Sequence, residues 1–238
     1  MGKKYKTDLK ISIPDNEVWK FNKDVTKNFE DHILKSVPGY LDGHNLIISI
    51  SRDVLTNKSK VLDIGCSTGT LLKKLNTELN IDTELYGIDI SKEMINEAKK
   101  RCRANKIKFY NQSVNDLRGK GFDLILSYFT LQFVHPSKKI KYLKSVYDKL
   151  NDNCYFIIFE KISEKSGFMQ NLTTMAYNDF KIINNFKSSE IFNKTHTLRG
   201  AMHSVTREEN FKNFKKCKFR NINLIFKNLF FEGYIMKK

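Results

Sequence analysis

The stretch Val61-Leu62-Asp63-Ile64-Gly65-Cys66-Ser67-Thr68-Gly69 constrains this chain more than any other. Lys60 to Ile64 reads as a short buried strand, Gly65 to Gly69 as a tight turn, and Thr70 to about Leu79 as a helix. Glycine at 65 lets the backbone turn close against a ligand, and Gly69 lets the helix pack close to the strand. Strand, glycine turn and helix in that order open a doubly wound α/β sheet, where ligands sit at the carboxyl ends of the strands at the point of reversal. Asp63 adds a carboxylate at that mouth. It repels a pyrophosphate and attracts an ammonium group, while the backbone N–H groups of the turn suit a carboxylate at the helix N-terminus. The turn therefore suits a small zwitterion better than a dinucleotide.

Helix and strand patterns alternate around this unit. Trp19 to Ser36 carries apolar residues at Phe21, Val25, Phe29, Ile33 and Leu34, near helical spacing, and Pro38-Gly39 ends the run. A second helix is expected over Asn45 to Leu55. Glu84 to Ile90 is a strand that ends in Asp89 and runs into a capped helix at Ser91-Lys92-Glu93-Met94. Lys106 to Tyr110, Phe122 to Ser127 and Cys154 to Phe159 are further strands, and Lys138 to Leu150 is a helix. Strands separated by helices imply crossovers and a parallel sheet. Phe219 to Phe226 and Leu229 to Met236 form a hairpin around Lys227-Asn228 that closes the sheet antiparallel, and Glu164 to Phe214 is a helical insertion.

With 238 residues, 40% of them hydrophobic, the chain has enough material for one substantial core. We therefore expect one Rossmann-like α/β domain with a seven-stranded, mostly parallel sheet. Its parts are an N-terminal helical lid (1–58), a cofactor-binding core (59–160), a helical insertion on the substrate side after strand five (161–214) and a closing hairpin (215–238).

Met1 to Lys10 is polar and lysine-rich, and no apolar stretch approaches the roughly 20 residues of a membrane helix. Cys66, Cys102, Cys154 and Cys217 form no CxxC pair, which argues against a zinc knuckle or a disulfide framework. A cytoplasmic protein with no membrane partner is expected. The net charge of +16 raises the question of nucleic acid. The excess is mostly lysine spread along the whole chain amid many asparagines and isoleucines, as compositional bias produces. The run Lys212, Lys215, Lys216, Lys218 and Arg220 reads as a solvated helix face and turn, so direct nucleic-acid binding is not the expectation, though the charge leaves it open.

Asp63-x-Gly65-x-x-x-Gly69 resembles the D-x-G-x-x-x-G motif of class I methyltransferases, which implies S-adenosylmethionine as cofactor. Asp89, at the end of the second strand, then stands where a carboxylate accepts both ribose hydroxyls. Ile90 and Met94 would flank the adenine, with Ser113 and Val114 on its other side. A narrower likeness rests on Ser36-Val37-Pro38-Gly39-Tyr40, Asp63-Ile64-Gly65-Cys66-Ser67, Phe129-Thr130-Leu131-Gln132-Phe133 before Pro136, Glu160-Lys161, and Asp179-Phe180-Lys181. Together these resemble the carboxy-S-adenosylmethionine synthase (CmoA) family over most of the chain. That family converts S-adenosylmethionine and prephenate to carboxy-S-adenosylmethionine, which serves wobble-uridine modification of tRNA. The resemblance implies cofactor contacts at Tyr40, Gly65, Cys66, Ser67, Asp89, Ile90, Ser113, Val114 and Tyr128, and a homodimer.

Aligned to that family, this chain has Thr195 where the family keeps an arginine for the transferred carboxylate, and Tyr128 where it keeps an asparagine. Threonine offers only a neutral hydroxyl, and Arg199 lies a helical turn away, about 5 Å. The leading expectation is therefore in-line methyl transfer to a small-molecule acceptor, because the sulfonium methyl is already activated and needs only a positioned nucleophile and one proton steered. Carboxy-S-adenosylmethionine synthesis and a non-catalytic cofactor-binding module are the alternatives. Trp19, Phe21, Tyr40, Tyr177, Thr195, His196 and Arg199 are the candidate acceptor wall, with His196 and Tyr177 as catalytic candidates, since imidazole titrates near neutral pH. His196 and His203 lack an accompanying carboxylate pattern, so no metal site is expected.

Overall fold

Val61, Leu62, Asp63 and Ile64 are all buried, so their strand has no solvent face. That is the state of a parallel strand covered by helices on both sides. The computed structural model describes residues 23–238. Its strands are β1 (Lys60–Ile64), β2 (Glu84–Asp89), β3 (Ile107–Asn111), β4 (Phe122–Tyr128), β5 (Leu150–Lys161), β6 (Arg220–Asn228) and β7 (Phe231–Lys237). They form one sheet in the order β3-β2-β1-β4-β5-β7-β6. The first five are mutually parallel, and β7 pairs antiparallel with both β5 and β6. The winding reverses between β1 and β4, which opens a crevice above their carboxyl ends.

Helices α1 (Lys23–Ser36), α2 (Tyr40–Val54), α3 (Thr70–Glu78), α4 (Lys92–Arg101), α5 (Pro136–Lys149), α6 (Gly167–Ile183), α7 (Ser188–Leu198) and α8 (Arg207–Lys216) complete the described fold. One core packs Ile47 and Ile48 of α2 and Leu71, Leu72 and Leu75 of α3 beside Phe159. The other packs Leu143 and Val146 of α5 with Phe214 of α8 and Tyr234. Gly233 on β7 lies under the Phe159 ring, where a Cβ would meet ring carbons at 2.5–2.9 Å. Strand alternation sends Phe159 and Lys161 to one face of β5 and Glu160 to the other. There the buried Glu160 accepts a hydrogen bond from the Leu131 N–H at 2.9 Å.

Several boundaries differ from the sequence reading: β5 runs over Leu150–Lys161 where Cys154 to Phe159 was expected, and α5 over Pro136–Lys149 where Lys138 to Leu150 was expected. Helix α2 starts at Tyr40 instead of Asn45, because Gly39 takes φ +69° and makes Pro38-Gly39 a link between two helices as well as the end of one. The hairpin turns at Leu229-Phe230, two residues later than Lys227-Asn228 suggested, with Leu229 at φ +51°. Phe230 and Phe231 are both buried, and this later turn delivers them to the core. Trp19 and Phe21 lie outside the described residues.

Candidate cofactor and substrate site

The glycine turn after β1 is built to approach its neighbours closely. Gly65 has φ +73°, and a Cβ there would lie 2.6–2.9 Å from Thr130 Cγ2 and Cβ. Thr130, just after β4, donates from Oγ1 to the Ile64 carbonyl at 3.1 Å, pinning the two sides of the crevice together. Gly69 has φ +80° and lies against Phe109 and Cys102, which brings α3 close to the sheet.

Two carboxylates face this turn. Asp89 accepts from the Ser67 N–H at 3.0 Å and from the Ser91 N–H at 2.8 Å. Each oxygen keeps a lone pair for a further donor. Burial raises its pKa, and the backbone N–H groups of Ser91, Ser67 and Ile90 oppose that rise. Asp63 is deeper. Its Oδ1 has no hydrogen-bond partner among the described residues, and burial, with the nearby Asp89 charge, pushes its carboxyl up to about 7. A buried acceptor with no donor costs about 1–3 kcal/mol, so this atom is suited to a cationic donor from a ligand.

A cavity of about 570 Å³ runs from these acids into a chamber under α1, α2, α6 and α7. Aromatic rings line much of it. Tyr128 donates to the Tyr40 carbonyl at 2.6 Å and packs on Gly43, and its ring lies 5.1 Å from Tyr40 and 4.8 Å from Phe159. Tyr177 of α6 donates to the Ser36 carbonyl at 2.7 Å, which ties the insertion to α1. Glu30 of α1 bonds Thr70 and Arg101 and accepts from Thr68 at 3.0 Å, so the same helix is also tied to the glycine turn. His44 is buried between Tyr40 and Tyr128, with both ring nitrogens unpartnered among the described residues. Burial and the Lys74 charge lower its pKa to about 3, so the ring is neutral at physiological pH.

Of the residues singled out from sequence, Tyr40, Asp63, Gly65, Cys66, Ser67, Asp89, Ile90, Met94, Ser113, Val114, Tyr128 and Tyr177 all line this cavity. Gly69 sits behind it, at the packing contact already described. Thr195, His196 and Arg199 are exposed on α7 or at its end and do not line the cavity. Thr195 Oγ1 donates to the Ile191 carbonyl of its own helix at 2.9 Å, and the His196 ring lies 6.2 Å from Phe192. Sequence reasoning missed Glu30, His32, His44 and Lys194, and gave Lys161 no role beyond its part in the family likeness, yet all five line the chamber. For Lys161 a signal was present: it stands two residues after Phe159 and so shares its face of the strand.

A family profile described as a methyltransferase domain matches residues 61–153. The carboxy-S-adenosyl-L-methionine synthase of Nautilia profundicola is 31% identical over 223 residues, covering 92% of this chain and 94% of that protein. The namesake protein of Campylobacter curvus is 34% identical over 217 residues, covering 90% and 92%. Among solved structures, the Synechocystis magnesium protoporphyrin IX methyltransferase with bound SAH superposes with a TM-score of 0.64 at 16% identity, covering 91% of this chain and 94% of that one. A SAM-dependent methyltransferase from Aquifex aeolicus gives 0.61 at 15% identity, covering 91% and 98%. At these identities the structural likeness speaks to the fold.

Proposed function

Because the chain belongs to the carboxy-S-adenosyl-L-methionine synthase family, we propose that it is an S-adenosylmethionine-dependent transferase that makes carboxy-S-adenosylmethionine from a carboxylate-bearing small molecule such as prephenate. The observation that carries this reading is the orphaned Asp63 Oδ1 beside the Asp89 carboxylate, at the mouth of a cavity that continues into a second chamber. The residues fit the cofactor. Asp63 would take its ammonium group, Asp89 its ribose hydroxyls, and the backbone of Gly65 to Ser67 its carboxylate. Ile90 and Met94 would lie on one side of the adenine and Ser113 and Val114 on the other.

When bound, S-adenosylmethionine supplies an activated sulfonium methyl group. The chain's own task is to hold the carboxylate donor against that methyl carbon, exclude water and steer the one proton the carbon gives up as it bonds to the carboxyl carbon, whose bond to the donor breaks. Tyr40, Tyr128 and Tyr177 would form the dry wall around that methyl group, and their ring faces favour a cationic sulfur. In this reading residues 59–160 hold the cofactor, 1–58 and 161–214 the substrate, and 215–238 complete the sheet. The setting is a reducing cytoplasm, which suits four cysteines that are all unpaired.

Simple methyl transfer to a small acceptor is the second reading, favoured by Thr195 at the family's arginine position. Incubating the purified protein with S-adenosylmethionine and prephenate separates the two. A cofactor product heavier by one carboxylate is expected; its absence, together with a methylated acceptor from a metabolite extract, would replace the first reading with the second.

The assembly we propose is a homodimer through α6 and α7. Phe168, Leu172, Met175, Ile182 and Ile183 recur at helical spacing on α6 and are 50–79% exposed, with Phe192 of α7 at 64%. An apolar stripe of this kind marks an interaction surface.

A further inference from the structure

Lys161 is the last residue of β5 and lines the chamber beyond the cofactor turn. Its Nζ stands 4.8 Å from the ring centroid of Tyr177, 5.3 Å from Phe230 and 6.0 Å from Phe231. Among the described residues no carboxylate pairs with it. On the Tyr177 ring sits a second ammonium group, Lys181, at 4.2 Å, likewise without a described carboxylate. Lysines this enclosed are ordinarily paired with an anion. Ring faces supply only part of that compensation.

We propose that Lys161 holds the carboxylate of the small-molecule substrate. The proposal rests on the reading above that a carboxylate-bearing molecule enters the chamber. The placement of the alternatives supports it: Thr195 and Arg199 lie outside the cavity, whereas Lys161 opens onto it. An ammonium group on a four-carbon stem also reaches its anion as a point charge and needs no bidentate geometry.

Burial lowers the Lys161 pKa to about 8. The groups that face its ammonium are Tyr177 and Lys181 from α6 and the uncharged rings of Phe230 in the hairpin turn and Phe231 at the start of β7; Gln132 Oε1 accepts the backbone N–H of Lys161 at 2.7 Å. Lys194 lies elsewhere on the chamber wall. Tyr177 is held neutral well above its usual range by burial. Lys181 is lowered to about 8 by burial and by Lys161, so a Lys181→Met variant is the control for its share of any titration.

The test is calorimetric titration of prephenate into protein loaded with S-adenosylhomocysteine, with the thermal shift given by S-adenosylhomocysteine alone as the readout of an intact cofactor site. Lys161→Met is expected to weaken prephenate about 10- to 100-fold, the scale of one charge-assisted hydrogen bond, and to leave the thermal shift unchanged. Wild-type affinity is expected to fall about tenfold per pH unit above 8, as the ammonium group loses its proton. Lys161→Arg is expected to bind without that fall, and Lys181→Met to retain it. Prephenate binding to Lys161→Met at wild-type strength overturns the proposal and leaves the functional reading standing. If Lys161→Met does not fold, the pH comparison between wild type and Lys161→Arg decides, and identical profiles overturn the proposal. Wild-type protein that takes up S-adenosylhomocysteine but no prephenate at any pH overturns both.

Discussion

Asp63 carries a charge that its surroundings oppose. Its carboxyl is pushed up to about 7 by burial and by Asp89, against an unfolded value near 3.9. The folded state thus binds more protons than the unfolded state between those values, and stability falls as pH rises through that window. Between pH 6 and 7 the ligand-free protein should lose ~1 kcal/mol through this group. Asp63→Asn should remove that slope in denaturant unfolding and weaken S-adenosylmethionine by ~1.5–3 kcal/mol, the worth of a hydrogen bond to a charged group. An unchanged slope would mean that Asp63 titrates normally. Asp63 and Asp89 were legible from sequence because each lies at or next to the end of a short, well-marked strand, and strand ends are where such sheets bind ligands. His44 was not legible: one histidine in an apolar helix pattern gives no hint that the fold leaves both its nitrogens unpartnered by the described residues.

At the scale of elements, the β1 turn depends on Gly65 for its conformation and for its contact with Thr130. Gly65→Ala should destabilise the protein by ~1–2 kcal/mol from the left-handed backbone alone. It should also abolish the thermal shift given by S-adenosylmethionine; a variant that keeps both stability and shift would show that the turn tolerates a Cβ. Strands β1 to β4 were readable because each is short and apolar between turn residues, and β5 was read only in its apolar part, because Asn151-Asp152-Asn153 at its start looks like a turn. The start of α2 was not, because Pro38-Gly39 ends one helix and begins the next within two residues. The hairpin turn moved because a polar Lys-Asn pair is a weaker determinant than the burial of Phe230 and Phe231. Thr195 and Arg199 were chosen from alignment to a family arginine and His196 for its imidazole, and neither ground says which face of a helix meets the cavity.

At the scale of the whole molecule, the exposed stripe on α6 and α7 makes assembly testable. Met175→Glu, placed in the middle of that stripe, should convert a dimer to a monomer in sedimentation velocity without altering the folded spectrum. A wild-type protein that sediments as a monomer would remove the proposal. Among the described residues no helix is long and apolar enough to cross a membrane. The contact between Gly233 and Phe159 carries a different kind of consequence. A bare stretch of backbone on β7 seats one ring, and that ring touches the tyrosine that braces the opposite rim of the nucleoside crevice. Enlarging position 233, two strands from the crevice, would therefore be felt as a misshapen binding mouth before it was felt as a weaker sheet.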